Sequence, residues 1–176
     1  MSAFLSDADI SLRPVMREEL EQLRVWRNAP ELRSRTREWR ALSEEDQVQW
    51  FNRITLPSRT DHMFSVVYKG MLVGVVGLCA WNTHDRNAEI SFYIGDPVYR
   101  GRGIMKRSLL LLTGWGFSQG LHRIWAEVYD FNITSVKLLE RIGFVCEGRQ
   151  RHHAFRDGRF VDSVMMGLLQ SVEATG

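Results

Sequence analysis

Two cysteines in 176 residues are too few for a disulfide framework, and no Cys/His spacing marks a metal site. Cys79 and Cys146 each lie in an apolar segment, so both are expected as buried free thiols. No apolar run is long enough to span a membrane. The stretch Met1–Ile10 carries an acidic pair and no apolar core, so no signal peptide is expected, and a reducing cytosol is the expected address. The net charge of +2 is too small to draw nucleic acid by bulk electrostatics. Repeats, linkers and low-complexity tracts are missing. What is present is 44% hydrophobic and 25% charged, an ordinary globular composition in a chain long enough for one domain with a real core.

Elements follow from periodicity and punctuation. Ile10–Arg13 alternates and stops at Pro14, predicting a strand. Glu18–Asn28 places Leu20, Leu23 and Trp26 on one helical face and ends at Asn28-Ala29-Pro30. Ser43 caps a second helix reaching about Ile54 behind an acidic first turn. Met63–Tyr68 and Met71–Ala80 read as a hairpin turning at Lys69-Gly70, with Gly74 and Gly77 predicting a bulge or a close backbone neighbour. Ala88–Ile94 and Arg123–Tyr129 are strands. A helix starts at Ile104, and another spans Ile133–Ile142 with Gly143 as its C-cap. Val145–Arg149 and Phe160–Leu169 close the chain as strands around the turn Arg156-Asp157-Gly158. The alternation describes one α/β domain with a mixed sheet.

The stretch most loaded with chemistry is Ile90–Gln119. A strand leads through Pro97 into Arg100-Gly101-Arg102-Gly103, which opens directly onto the apolar run Ile104–Leu112. A helix starting there aims unpaired N–H groups and the positive end of its dipole forward. Glycines let an anion approach the backbone, and Arg100, Arg102, Lys106 and Arg107 add charge. The loop lacks the Gly-Lys-Ser/Thr of a P-loop and the three-glycine spacing of a dinucleotide fold. By itself it reads equally as an anion cradle or a structural turn.

Taken with its surroundings, the chain resembles the GNAT superfamily of acetyl-CoA-dependent N-acetyltransferases over nearly its whole length. The family motif (Arg or Gln, two residues, Gly, one residue, Gly or Ala) matches Arg100-Gly101-Arg102-Gly103-Ile104-Met105 in its first four positions, with Met105 where a small residue is usual. Asn132-Ile133-Thr134-Ser135 through Ile142-Gly143-Phe144 matches a second family element. The resemblance implies a single domain over 1–176 with loose ends at about 1–8 and 171–176. It implies a mixed, mostly antiparallel sheet of about seven strands flanked by about four helices. The implied cofactor is acetyl-CoA, held by Phe92, Tyr93, Ile94, Arg100, Gly101, Arg102, Gly103, Ile104, Met105, Lys106 and Asn132, with no metal. A backbone N–H of the Phe92–Ile94 strand would polarise the thioester carbonyl.

The resemblance also implies direct attack by a primary amine, which arrives protonated and must lose a proton. Glu89 is the base candidate, although it also reads as a strand residue paired with Arg86 or another cation. Leu139 replaces the Tyr that usually protonates the leaving thiolate. Ser135 stands in as candidate acid and reads equally as a helix N-terminal hydroxyl; Tyr93 and Tyr129 remain open. On the acceptor side, Arg27, Arg33, Arg35, Arg37 and Arg40 alternate with Trp26 and Trp39, a pattern suited to an anionic ligand with a flat ring or to a solvated face balanced by Glu31 and Glu38. Arg27, Asn28, Trp39 and His153 are the candidate substrate contacts. Trp26-Arg27-Asn28 with Ser43 through Trp50-Phe51 resembles the PseH-type amino-sugar acetyltransferases, and Arg156–Asp162 is shared with the RimJ/RimL-type ribosomal-protein acetyltransferases. A small or nucleotide-linked amino sugar is therefore the leading acceptor. A protein N-terminus and a non-catalytic acyl-CoA-binding module are the alternatives. A membrane partner is excluded, nucleic acid is not expected, and a homodimer is left open.

Overall fold

The computed structural model describes residues 5–171. Eight strands form one sheet in the order β1-β2-β3-β4-β5-β6-β8-β7. They are β1 (Leu5–Asp7), β2 (Ile10–Pro14), β3 (His62–Tyr68), β4 (Met71–Asn82), β5 (Asn87–Ile94), β6 (Arg123–Tyr129), β7 (Val145–Arg156) and β8 (Arg159–Leu169). Five helices pack on it: α1 (Leu20–Asn28), α2 (Pro30–Arg33), α3 (Glu44–Thr55), α4 (Ile104–Ser118) and α5 (Ile133–Arg141). Every neighbouring pair is antiparallel except β5 and β6. Among the described residues no helix is long and apolar enough to cross a membrane.

Strand alternation sorts the core into two layers. Ala88 and Ile90 of β5 turn toward α4, joining Leu109, Leu112, Ile124 and Leu139 in the larger cluster. Val75 of β4 and Tyr93 of β5 turn the other way, toward Leu20, Leu23 and Ile54 of α1 and α3. Ser43 caps α3 in a reciprocal box: its Oγ accepts from the Asp46 N–H at 3.1 Å, and Asp46 Oδ2 accepts from the Ser43 N–H at 2.8 Å. The β3–β4 turn puts both Lys69 (φ 49°) and Gly70 (φ 81°) in the left-handed region, the twist a two-residue hairpin needs. Opposite Val66/Val67 the β3–β4 register shifts beside Gly74, which is the predicted bulge.

Three local readings are corrected. Leu5–Asp7, expected within a loose terminus, pairs with β2 as an edge strand; residues 1–4 and 172–176 of the expected loose ends lie outside the described residues. β7 runs to Arg156 rather than Arg149. It is an edge strand exposed along most of its length, so neither face imposes apolar alternation, and two register shifts interrupt its pairing with β8. Cys146 is exposed and Cys79 half-buried, so the two thiols are not both buried.

The feature that positions the site is where the sheet stops pairing. β5 and β6 match only at Asn87↔Arg123, Ala88↔Ile124 and Glu89↔Trp125. Beyond Glu89, β5 stays with β4 and β6 with β8. The sheet therefore opens into a wedge, and backbone groups of Ile90–Ile94 on that side lose their ladder partners.

Candidate active site

The wedge continues into a cavity of about 400 Å³ between the end of β5 and the N-termini of α4 and α5. Its walls include Phe92, Tyr93, Ile94, the whole run Arg100–Lys106, Asn132 and Ser135. The sequence-predicted cofactor residues are thus brought to one place. Arg35, from the segment between α2 and α3, and Arg141, from the end of α5, also line it. Sequence reasoning did not assign either to the cofactor, and no motif signal marks them. With Arg100, Arg102 and Lys106 they make a lining rich in cations and without a carboxylate.

The loop geometry explains what this cavity can hold. Gly103 sits at the N-cap of α4 with φ 75°, and a Cβ there would meet no atom within 4 Å. No side chain caps α4, so the N–H groups of its first turn point into open space. Asn132 opens α5 without bonding its side chain to that helix, leaving the amide free toward the cavity. Met105 is 8% exposed and its side chain packs in the core with Leu109, so the motif departure does not obstruct the cradle. Unpaired helix-start donors plus several cations suit a polyphosphate, and the residues present fit coenzyme A. Arg107, expected to add charge to this loop, instead bonds Asp7 Oδ2 and Asp9 Oδ1, each at 2.8 Å, and fastens α4 to the β1–β2 turn. Arg100 is shared with Glu31 at 2.6 Å.

At the mouth of the wedge stands a charge cluster that the sequence did not reveal. Arg37 bonds both oxygens of Glu89, at 2.8 Å for Oε2, and also Glu127 Oε2 at 2.9 Å. Hydrogen bonding to Glu89, then the two carboxylate charges, drive the Arg37 pKa above its usual value against a partial loss of solvent. Glu127 Oε1 accepts from Ser163 Oγ at 2.7 Å and lies 3.3 Å from His153 Nε2. Arg156 Nη2 donates to the Arg37 carbonyl at 3.2 Å and to Tyr129 Oη at 2.5 Å. Glu89 is thus paired with a cation, but that cation is Arg37; Arg86 bonds the Gly120 carbonyl instead. Leu139, in the position of the missing acid, is 0% exposed and filled into the core.

The acceptor-side expectations divide. The arginines do not form one wall: Arg33 lines a surface hollow, Arg35 the cofactor cavity, Arg37 clasps two glutamates, and Arg27 and Arg40 line a third pocket. Asn28 is not a free contact. Its Nδ2 donates to the Leu42 carbonyl at 2.9 Å and its Oδ1 accepts from the Leu42 N–H at 2.7 Å, which clamps the loop to α1. Trp39 is 65% exposed and lines the hollow of about 840 Å³ with Arg33, Phe155 and Arg156. The third pocket, about 420 Å³, holds Arg27, Arg53, Trp50, Ser91 and Tyr93. Tyr93 lines both this pocket and the cofactor cavity; burial pushes its hydroxyl pKa up and keeps it protonated.

A sheet split beside a glycine-started helix, with a cationic cavity at the split, defines a protein that binds a phosphate-bearing cofactor. Comparison with known proteins names the family: residues 9–145 match the model of the acetyltransferase (GNAT) domain. The chain belongs to that family and is an acetyl-CoA-dependent N-acetyltransferase. The reading as a non-catalytic binding module falls away with this family match, although Leu139, buried in the core, leaves the usual acid missing. An uncharacterized N-acetyltransferase, p20, of Bacillus licheniformis is 33% identical over 129 residues, 71% of each chain. The spermidine N-acetyltransferase of Vibrio cholerae, solved with CoA and spermine, superposes with a TM-score of 0.84 at 26% identity, covering 93% of this chain and 97% of that one. RimL, a ribosomal L7/L12 alpha-N-protein acetyltransferase solved with CoA, superposes at 0.86 with 20% identity over 95% and 98%, a likeness of fold.

Proposed function

We propose that the enzyme acetylates the primary amine of a small acceptor carrying an anionic, flat-ringed group, a nucleotide-linked amino sugar being the leading case. The observation that carries this is the hollow holding exposed Trp39 and Phe155 beside Arg33, with Glu31, already bonded to Arg100, and Asp157 also on its wall. Aromatic faces stack a base and guanidinium forks take phosphate. The segment Glu38–Arg40 separates this hollow from the pocket that carries Ser91 and Tyr93, so one extended acceptor can touch both. In that pocket Arg27 and Arg53 have no carboxylate partner among the described residues. Of its two acids, Glu38 is paired with Arg40 at 3.1 Å and Asp46 keeps its charge while accepting from the Ser43 N–H at 2.8 Å, so the three arginines leave the pocket net positive. A polycation would meet a net positive wall there.

The bound cofactor supplies an acetyl group activated as a thioester. In this reading the loop Arg100–Lys106 with Arg35, Arg141 and Asn132 would hold its phosphates and arm, and the free backbone edge of Phe92–Ile94 would orient it in the wedge. Each Glu89 oxygen keeps a lone pair beyond its bond to Arg37, so the carboxylate takes the amine proton through a water. Ser135 Oγ, which lines the same cavity, would hydrogen-bond the departing sulfur and relay to it a proton taken up from solvent water, in place of a tyrosine at 139. His153 acts at one remove, through Glu127.

A second reading is a polyamine acceptor, favoured by the likeness to the Vibrio cholerae spermidine enzyme and by the paired acids Glu89 and Glu127. Thiol release from acetyl-CoA, measured with UDP-linked amino sugars, spermidine and N-terminal peptides, separates the readings. The nucleotide sugar is expected to show the highest kcat/KM, falling at least tenfold in Trp39→Ala through KM. Turnover of spermidine or peptide without turnover of any amino sugar would overturn it.

A further inference from the structure

The mechanism leaves Arg37 without a task, yet its guanidinium bonds two carboxylates at once. It comes from the segment between α2 and α3, crosses the mouth of the wedge, and bonds carboxylates on both diverging strands, Glu89 on β5 and Glu127 on β6. Glu89 belongs to the last residue pair before the strands part. The Arg37 carbonyl in turn accepts from Arg156 Nη2 at 3.2 Å.

We propose that Arg37 is a positioning residue that sets the proton affinity of the acceptor amine by cancelling one of the two carboxylate charges beside it. The inference rests on the reading that the amine loses its proton next to Glu89. A seat made of two bare carboxylates would hold an ammonium firmly, and a firmly held ammonium has no lone pair with which to attack. An opposite charge within bonding range raises an ammonium pKa by about 1 unit or more. With Arg37 in place the cluster carries one net negative charge, enough to attract and orient the amine. Without Arg37 it carries two.

The other groups facing this cluster do not supply the compensation. Cys79 pairs with Glu89 across β4–β5, and burial pushes its thiol up to about 12, so it stays neutral. Tyr129 is neutral, its hydroxyl raised by burial. Ser163 is uncharged. His153 reaches only the Glu127 oxygen that faces away from Arg37, at 3.3 Å, and is charged only when protonated. Arg156 meets Arg37 at its carbonyl and Tyr129 at its hydroxyl, not the carboxylates. Arg37 is therefore the cation in direct contact with both carboxylates, and Arg156 adds its charge from the more distant Tyr129 side.

The test is the pH dependence of kcat at saturating acetyl-CoA with the amine found in the acceptor screen, for wild type, Arg37→Met, Arg37→Lys, Glu127→Gln and Glu89→Gln. CoA affinity by calorimetry is the check on folding. Arg37→Met is expected to move the rising limb of kcat to higher pH by about 1 unit or more, with roughly a tenfold loss at pH 7 and convergence with wild type in alkali. Arg37→Lys keeps the limb near its wild-type position. Glu127→Gln, which removes a negative charge and leaves Arg37 on Glu89, moves it the opposite way, and this holds the proposal to account even if Arg37→Met fails to bind CoA. Parallel loss at every pH in Arg37→Met, or an unmoved limb in both charge variants, overturns it. If Glu89→Gln lowers kcat while those limbs stay fixed, only the role of Arg37 fails. If Glu89→Gln leaves the whole profile unchanged, the deprotonation beside Glu89 fails with it.

Discussion

Gly103→Asp separates cofactor binding from folding more cleanly than any other single change. Gly103 lies at φ 75° with no atom within 4 Å of where a Cβ would stand, so there is no steric clash. The cost to the fold is the left-handed backbone, about 1–2 kcal/mol for an L residue and less for Asp, which visits that region. A carboxylate at an N-cap partly offsets this by favouring the helix start. The cost to the cofactor is far larger. A like charge about 4 Å from a phosphate costs about 4 kcal/mol at an effective dielectric of about 20, and the carboxylate also competes for the N–H groups the phosphate needs. That is roughly a thousandfold in Kd. Gly103→Ala carries the backbone strain without the charge, so the difference between the variants isolates the electrostatic part. Titration calorimetry with CoA gives the affinities, and thermal melting gives the stability. A CoA affinity in Gly103→Asp within threefold of Gly103→Ala would refute the assignment of this loop to the phosphates.

Leu139→Ala removes a fully buried side chain and is expected to cost about 2–5 kcal/mol, read as a lower midpoint in urea; a loss below about 1 kcal/mol would show that α5 is not packed as described. Glu19 is 7% exposed and accepts from Arg13 at 2.5 Å, the Met16 N–H at 2.9 Å and Ser65 Oγ at 2.6 Å. Burial alone would raise its carboxyl, but those bonds hold it below its usual value. Its contribution is therefore full above about pH 4.5 and lost as pH falls through the depressed pKa; Glu19→Gln should flatten the acid side of the stability profile, and an unchanged slope would contradict this. Cys146, exposed, should react quickly with a thiol reagent at pH 8, while Cys79, its thiol pushed up to about 12, reacts slowly; Cys146→Ser should abolish the fast phase and leave the slow one.

The local devices were legible because each is built from neighbours in the chain. The Ser43–Asp46 box, the Lys69-Gly70 turn, the end of α5 at Gly143 and the start of α4 at Gly103 all stand where their residues predict. Phe144 N–H bonds the Leu139 carbonyl at 3.0 Å, as a glycine-terminated helix end requires. Edges were not legible. β1 and the outer half of β7 lie at the two margins of the sheet, where burial does not write an alternating pattern.

The sequence alone predicted that a glycine-started helix follows a strand and that Asn132 opens the next helix, while coenzyme A entered only through the resemblance to a family. Those features depend on spacing within a few residues, and spacing is what a sequence records. Only the tertiary structure decided which cations reach the cradle and which do not. Arg35 and Arg141 enter it from distant segments, while Arg107 leaves it for Asp7 and Asp9. The arginines at 33, 35, 37 and 40 read as one basic stretch and go to four different destinations. A side chain as long and freely rotating as arginine is placed by the acids within its reach, and for Arg37 those acids, Glu89 and Glu127, lie on strands that meet only when the sheet has formed.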